Sequence, residues 1–429
     1  MDDVWAATES ASGRLRTMKK PSVLLSHPTG NQNVRNELRG LADNGMLAEF
    51  WTTIAWDSKG RWSQILPRGL SAQLARRSFP DAPKERIKSV PLREMIRLGA
   101  RPLLLKGMLS SGERPFSIIG VYRHFDGIVA SHLKASRPDA VYAHEGGALQ
   151  TFRAAKQLGI RTLHEQPSSY WYWVRKLLEE EADLNPEFAG LLPNLSDSRG
   201  HLEWKDEELC LADFVFAPSE HVRETLKGVV ADEKIRVINY GAPSVRSREP
   251  FETVADQPLK VLFVGALAQH KGISYLLDAI DQLGSQVELT LVGRRYRPNK
   301  RVDEACKRGL WFESLPHSEV LSLMQRSDVL VLPSLTEGCA LVVLEALACG
   351  LPVIVTPNTG SLGFVRDGYE GFVIPIRRAD LIAERLERLS DNRELLAEMS
   401  SYAHAAAAVH SWERYRCKWV DAVRATICG

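Results

Sequence analysis

Two carboxylates eight residues apart, Glu337 and Glu345, stand in the stretch EGCALVVLEALACGLPVIVT (337–356). Glu337 and Gly338 fall in a polar turn just ahead of a helical pattern. Glu345 lies inside a run (Leu341, Val342, Val343, Leu344, Ala346, Leu347) that is otherwise apolar. A charge among apolar neighbours is costly unless it has a partner. The backbone N–H groups of about Cys339 to Val342, those of Ala340 and Leu341 included, are the unpaired donors of a helix start and suit an anion such as a diphosphate. Such a set would suit a sugar nucleotide, with one carboxylate for sugar hydroxyls, the helix start for phosphate and the other carboxylate for ribose. On these residues alone a plainer reading competes, in which Glu337 caps the helix and Glu345 faces water.

The elements that must position these groups are legible around them. An apolar strand (Val329 to Pro333), a turn (Ser334 to Gly338), a helix (Ala340 to Cys349) and a second apolar strand after Gly350 and Pro352 form a strand-turn-helix-strand unit of a parallel sheet. Its turn is at the carboxyl end of a strand, where ligands of open α/β sheets bind. Upstream, the strand Lys260 to Val264 ends at Gly265, and Lys271, just before Gly272, projects a cation toward the edge that carries Glu337. The loop is not a GxGxxG fingerprint and the chain has no Walker A sequence, which argues against hydride transfer and P-loop hydrolysis. From Leu259 onward strands alternate with helices: helix 273–283, strand 288–292, strand 311–315, helix 319–325, strand 329–332, then strand 371–375, helix 379–389 and one long helix from about 393 to 427. That alternation predicts a doubly wound domain.

The first half repeats the theme. After a polar tail (1–20), a short strand from Pro21 leads to Gly30 and Asn31, which either line a cleft on the acceptor side or form a plain turn. Asp139 to Gly147 reads as a strand ending in His144 and Glu145, the latter a further acceptor-side candidate, with a Gly pair before a helix (149–158). Strands at 160–164, 213–217 and 235–239 follow, with an aromatic segment at 168–174, helical sequence over 175–211, and Ser219 as an N-cap. The stretch 241–258, rich in Pro, Ser, Arg and Glu, is the best linker in the chain. The expected plan is two Rossmann-like domains, 21–240 and 259–402, facing across a cleft, with a C-terminal helix (403–429) packing back toward the first.

At 429 residues the chain suffices for two domains of roughly 200 residues. Its net charge of +2 gives no sign of a nucleic-acid binder. No run approaches the ~20 apolar residues of a membrane span, and the N-terminus lacks the apolar core of a signal peptide, so a cytoplasmic location is expected. The six cysteines show no CxxC spacing, which argues against a disulfide framework or structural zinc; Cys339 reads as a small buried side chain rather than a nucleophile. Between Lys59 and Lys106 twelve basic residues face three acids, with Leu, Ile and aromatic residues between them. This segment either docks on an anionic membrane surface, holds an anionic acceptor, or forms solvated helix faces.

VGALAQHKGISYLLDAI (264–280), SDVLVLPS (327–334), EGCALVVLEALACGLPVIVT (337–356) and RDGYEGFVIP (366–375), in this order, resemble the retaining glycosyltransferases of family 4, which have the GT-B fold. Glu337 and Glu345 match that family's E-x7-E pair. DAVYAHEGG and ADFVFAPSEHV extend the likeness more thinly into the first half. The resemblance implies that Glu345 bonds the ribose, Glu337 meets the donor sugar, Lys271 offsets diphosphate charge, and His144 stands on the opposite wall of the cleft. It further implies transfer from a UDP- or GDP-sugar to a glycan or lipid-linked hydroxyl with retention, in polysaccharide or glycoconjugate biosynthesis. No metal or other cofactor is expected, since the chain contains no D-x-D triplet. Ala266 departs from the pattern, standing where the family usually has Arg; Arg294 or Arg295 is the candidate replacement. Cys339-Ala340 replaces the common Phe-Gly, and the loop 359–364 lacks a usual acid. An epimerase or phosphorylase of the same fold, and a non-catalytic sugar-nucleotide-binding subunit, are the competing readings.

Overall fold

The computed structural model describes residues 20–57, 74–75, 77–99, 114–193, 197–245 and 257–428. Among these, two all-parallel sheets carry the fold. The first contains β1 (Val23–Ser26), β2 (Leu47–Thr52), β3 (Ile87–Ser89), β4 (Ala140–His144), β5 (Arg161–Glu165), β6 (Phe214–Ala217) and β7 (Ile235–Val237) in the order β3-β2-β1-β4-β5-β6-β7. The second contains β8 (Leu259–Val264), β9 (Val287–Val292), β10 (Leu310–Phe312), β11 (Val329–Leu332), β12 (Val353–Val355) and β13 (Gly371–Val373) in the order β10-β9-β8-β11-β12-β13. Strand order reverses between β1 and β4 and between β8 and β11. At such reversals adjacent loops leave in opposite directions and open a crevice at the carboxyl edge.

Helices cover both faces. In the first domain these are α1 (Gln32–Asp43), α2 (Leu92–Gly99), α3 (Ile118–Ser136), α4 (Leu149–Leu158), α5 (Trp171–Leu184), α6 (Arg199–Leu211) and α7 (Glu220–Thr225). The second has α8 (Ile273–Leu283), α9 (Lys300–Arg308), α10 (His317–Met324), α11 (Leu341–Ala348), α12 (Ala379–Asp391) and α13 (Arg393–Val409), and α14 (Trp412–Cys428) follows. Strand β11 reads VLVL because it is buried on both faces; each such side chain contributes about 1.5–3 kcal/mol. Several helices start on a side-chain cap: Asn31 Oδ1 accepts from Val34 N at 3.0 Å and Ser219 Oγ from Val222 N at 3.2 Å. The two-domain, doubly wound α/β architecture is the one the sequence predicts.

Three local expectations differ. The strand expected over 311–315 ends at Phe312, where the turn to Pro316 at the start of α10 takes over. The aromatic segment 168–174, given no element of its own, provides the first turn of α5. The single helix expected over 393–427 is two, α13 and α14, broken at His410 and Ser411. Local periodicity does not reveal that break because its cause is remote. Ala242 N donates to His410 O at 2.7 Å and Trp412 N to Ala242 O at 3.3 Å, so the returning chain is stitched to the outgoing one. Gly241 permits the crossing, since a Cβ there would lie 2.4 Å from Trp412 Cα.

Beyond the break, α14 packs on the first domain. Tyr415 OH donates to Glu37 Oε1 at 3.3 Å, Trp419 Nε1 to Tyr142 OH at 3.0 Å, and Arg416 Nη1 to Asn36 Oδ1 at 2.9 Å. Trp419, Val420 and Val423 are buried there.

Candidate active site between the two sheets

The second-domain wall is built from the turns after β8 and β11, which flank the reversal in strand order. After β8 the chain passes Gly265 and Ala266, where Leu267 N donates to Arg294 O at 3.0 Å, bringing Arg294 beside this loop. Arg294 and Arg295 are both exposed, and Arg295 is paired with Asp303 at 2.8 Å and lies over the Trp311 ring. Next comes a 3-10 turn, Gln269–Lys271, closed by Gly272 at φ +75°. A Cβ on Gly272 would meet Pro333 O at 2.0 Å, so glycine lets this turn settle onto the end of β11. The result is an ion pair between the Lys271 ammonium and the Glu337 carboxylate, with side chains only 20% and 15% exposed. Ser334 Oγ donates to the same carboxylate oxygen at 3.1 Å.

Of the donors expected at the start of α11, the N–H of Ala340 is committed to Thr359 O at 3.0 Å, and Glu337 N donates to Asn358 O at 2.9 Å. Cys339 is buried with its thiol pushed up to about 12 by burial, which makes it inert. Glu345 is half-buried on α11; burial raises its pKa, and His317 Nδ1 approaches it at 3.8 Å.

The first domain supplies the opposite wall and also holds the Glu337 turn by its backbone. Ser169 Oγ donates to Glu337 O at 3.0 Å and accepts from Thr336 Oγ1 at 3.0 Å, which leaves His221 Nε2–H to donate to it at 3.0 Å. Ser219 Oγ donates to Gly338 O at 2.5 Å. A Cβ on Gly338 would sit 1.8 Å from Pro167 O, so glycine is required where the domains touch. A cavity of about 300 Å³ opens beside this contact, lined by Glu145, Trp171 and Lys205 from the first domain and His270, Thr336 and Glu337 from the second. That is the lower end of the range for small-molecule sites.

Of the remaining first-domain candidates, Gly30, Asn31 and His144 take structural positions. Asn31 caps α1, and Gly30, at φ +65°, leaves no room for a Cβ, which would meet the Phe79 ring at 2.5 Å. His144 ends β4 as the sequence predicts, but its imidazole is 5% exposed and faces inward. Its Nε2 meets Glu37 Oε2 at 3.0 Å, and the His27 ring packs edge-on at 4.6 Å. Burial lowers the His144 pKa to about 3 and raises that of Glu37. Its neighbour Glu145 reaches the cavity instead, 3.6 Å from Lys205 Nζ and accepting from Gln166 Nε2 at 3.2 Å.

Sequence reasoning passes over His270, Trp171 and Lys205. His270 stands directly before Lys271, and that adjacency is the signal that could have found it. Burial first, then Lys271, lowers its pKa to about 4, so it is a neutral group at pH 7. Trp171 is fixed by its indole N–H, which donates to Asp206 Oδ1 at 2.7 Å.

Within the basic segment, Lys59, Arg61, Arg68, Arg76, Arg101 and Lys106 lie outside the described residues. Arg77 and Arg97 both pair with the buried Glu94, each at 2.6 Å. On α2, Leu92 is 70% exposed, with Met95 and Ile96 also exposed. Among the described residues no helix is long and apolar enough to cross a membrane.

Residues 245–406 match the family described as glycosyl transferases group 1. Over 158 residues the chain is 33% identical to an uncharacterized glycosyltransferase of Methanocaldococcus jannaschii, covering 36% of this chain and 44%, less than half, of that relative. A protein of Salmonella typhimurium named as a putative colanic acid biosynthesis glycosyltransferase is 25% identical over 414 residues, covering 87% of this chain and 91% of its own. Among solved structures, sucrose-phosphate synthase of Thermosynechococcus elongatus superposes with a TM-score of 0.65 at 18% identity over 95% of this chain and 99% of its own. The Anabaena protein HepE in complex with UDP-glucose gives a TM-score of 0.61 at 15% identity, over 94% and 100%. The fold is therefore GT-B, and the second domain is related to glycosyltransferases of group 1.

Proposed function

We propose that this chain transfers a sugar from a nucleoside-diphosphate donor to a hydroxyl of a glycan or lipid-linked acceptor, in polysaccharide or glycoconjugate biosynthesis. The observation that carries the reading is the Lys271–Glu337 pair at the strand-order reversal of the second sheet, beside a cavity whose other wall belongs to the first domain. A donor sugar seated there gives Glu337 a hydroxyl to accept from and frees the ammonium for the diphosphate. Arg294, beside the Ala266 loop, adds a second cation, and Glu345 on α11 takes the ribose. HepE, with the same fold, is known in complex with UDP and with UDP-glucose, which favours a uridine donor.

In the reaction the bond between the anomeric carbon and the phosphate oxygen breaks, and a bond from that carbon to the acceptor oxygen forms. The acceptor proton passes to the departing phosphate. Lys271 stabilises the charge that grows on the leaving diphosphate, and fixed charges aimed at developing charge are usually the largest single contribution to catalysis. The acceptor approaches from the face the diphosphate leaves, which gives retention and needs no metal. On the first-domain side Glu145 and Lys205 meet acceptor hydroxyls, and Trp171 offers an apolar surface to a sugar ring. The exposed Leu92, Met95 and Ile96, with Arg93 between them, suit contact with an anionic bilayer.

The test is incubation with UDP- and GDP-sugars and a panel of soluble and lipid-linked acceptors, with products read by mass spectrometry and anomeric configuration by NMR. Turnover that persists in a chelator is expected. An inverted product, or donor isomerised without an acceptor, would contradict the reading. Absence of salt-sensitive pelleting with anionic liposomes would remove the membrane contact.

A further inference from the structure

Helix α5 belongs to the first domain, yet its last turn is gripped by the second. The Glu181 carboxylate is fully buried. Its Oε1 accepts from Asn185 Nδ2 at 2.9 Å, Gln269 Nε2 at 2.7 Å and Tyr275 OH at 2.8 Å, and its Oε2 accepts from Arg377 Nε at 2.8 Å. Gln269, Tyr275 and Arg377 all come from the other domain. A buried carboxylate is tolerated only when its oxygens are satisfied in this way. Every partner donates, so an amide at this position would set N–H against N–H.

One of these partners bears directly on the donor site. Gln269 opens the 3-10 turn that ends in Lys271, and its Nε2 also donates to Ser274 Oγ at 2.6 Å. Its amide therefore fixes the turn to α8 on one side and to the first domain on the other. Arg377 has φ +65°, the left-handed region that residues bearing a Cβ rarely adopt. Its guanidinium also reaches Glu180 Oε1 at 2.8 Å. Backbone in such a conformation persists where its surroundings determine it, and it concentrates at functional sites.

We propose that Glu181 is a positioning residue of the transfer reaction: from the first domain it fixes Gln269, and so the turn that aims Lys271 at the donor diphosphate. The proposal rests on the reading of Lys271 as the donor-site cation. The first domain then completes the donor site of the second. The same helix also lines the cavity with Trp171, Val174 and Leu178 on its earlier turns, so one rigid element touches the acceptor space and holds the donor's cation.

The test uses the full chain with Glu181→Gln, Gln269→Met and Arg377→Gly, each also combined with Lys271→Met. UDP affinity is measured by calorimetry at a temperature where circular dichroism shows the variant folded, and kcat and KM are measured for the preferred donor. Each single variant is expected to weaken UDP about tenfold and to lower kcat. In the Lys271→Met background the same changes should add nothing further, because they act through that ammonium. Arg377→Gly relieves the left-handed backbone while removing the guanidinium, and with Gln269→Met it carries the test should Glu181→Gln not fold. UDP affinity within twofold of wild type in the folded variants, or equal losses with and without Lys271, would overturn the proposal. A wild-type chain that binds no nucleoside diphosphate would overturn the donor-site reading as well, whereas normal wild-type binding with indifferent variants would overturn only the role of Glu181.

Discussion

Lys271→Met separates the charge of the lysine from the packing of its stem, and the structure sets two magnitudes for it. The pair with Glu337 is mostly withdrawn from water, with 20% and 15% of the side chains exposed. Removing the ammonium leaves a carboxylate with Ser334 Oγ, at 3.1 Å, as its remaining side-chain donor. For a pair between the surface and buried limits the expected loss of stability is about 1–3 kcal/mol. The effect on catalysis is separate. A fixed cation at a developing oxyanion contributes on the order of 3–4 kcal/mol to the transition state, so kcat should fall by a factor of roughly 10²–10³. The two effects are told apart by adding Glu337→Gln: the double variant carries no unpaired charge, so its denaturant midpoint should move back toward wild type while kcat stays low. Steady-state kinetics on the identified donor, with urea unfolding of the wild type, both single variants and the double variant, gives both readings. If Lys271→Met keeps kcat within threefold of wild type, the ammonium is not where leaving-group charge develops, and the mechanism fails at its central residue.

Further outcomes follow from the packing of the site. Gly338→Ala places a methyl 1.8 Å from Pro167 O, so transfer should fall at least tenfold with secondary structure retained, as circular dichroism and kinetics would show. The Cys339 thiol, held at about 12, should resist iodoacetamide at pH 7.5 in the folded chain, while the exposed Cys210, Cys417 and Cys428 react; peptide mass spectrometry distinguishes them. His270 and His221 are lowered to about 4, both chiefly by burial. A histidine kept neutral in the fold takes up its proton more readily when unfolded, where its pKa is about 6.5. Its contribution is present above that value and is lost as pH falls toward about 4. Unfolding of the wild type and of His270→Asn at pH 7, 6, 5 and 4 isolates this contribution from that of raised carboxyls such as Glu37, which acts in the opposite direction: the stability of the variant relative to wild type should rise as pH falls below 6.5.

The second domain is readable because its chemistry and its strands announce themselves together. Strand β11 is an unbroken apolar run, and the polar turn that follows must stand at a carboxyl edge, so Glu337 can be placed without coordinates. The same logic applied to β8 places Lys271 near it. What the residues do not disclose in order is which polar groups satisfy one another. Ser169 and Ser219 hold the Glu337 and Gly338 carbonyls from the other domain, and no local pattern encodes a contact over that separation. His144 illustrates the same limit: its place at a strand end is evident, but Glu37, on a helix more than a hundred residues earlier, turns its ring inward. Glu181 is one acid in a charged helix until the meeting of two domains brings its four donors together.

The stitch between Ala242 and the His410–Trp412 segment alters what counts as a unit of this protein. The first domain is not a continuous piece of chain. It comprises the described residues up to the crossing together with α14, which enters only after the whole second domain has been made. A chain stopped at the crossing would lack Trp419 beneath Tyr142 and Tyr415 beside Glu37, leaving a carboxylate and a phenol ring facing water. During synthesis the first domain must wait, incomplete, for the seventeen residues of that helix. Conversely, a chain cut between the domains would stay assembled, because α14 is a tenon from one half set in the body of the other.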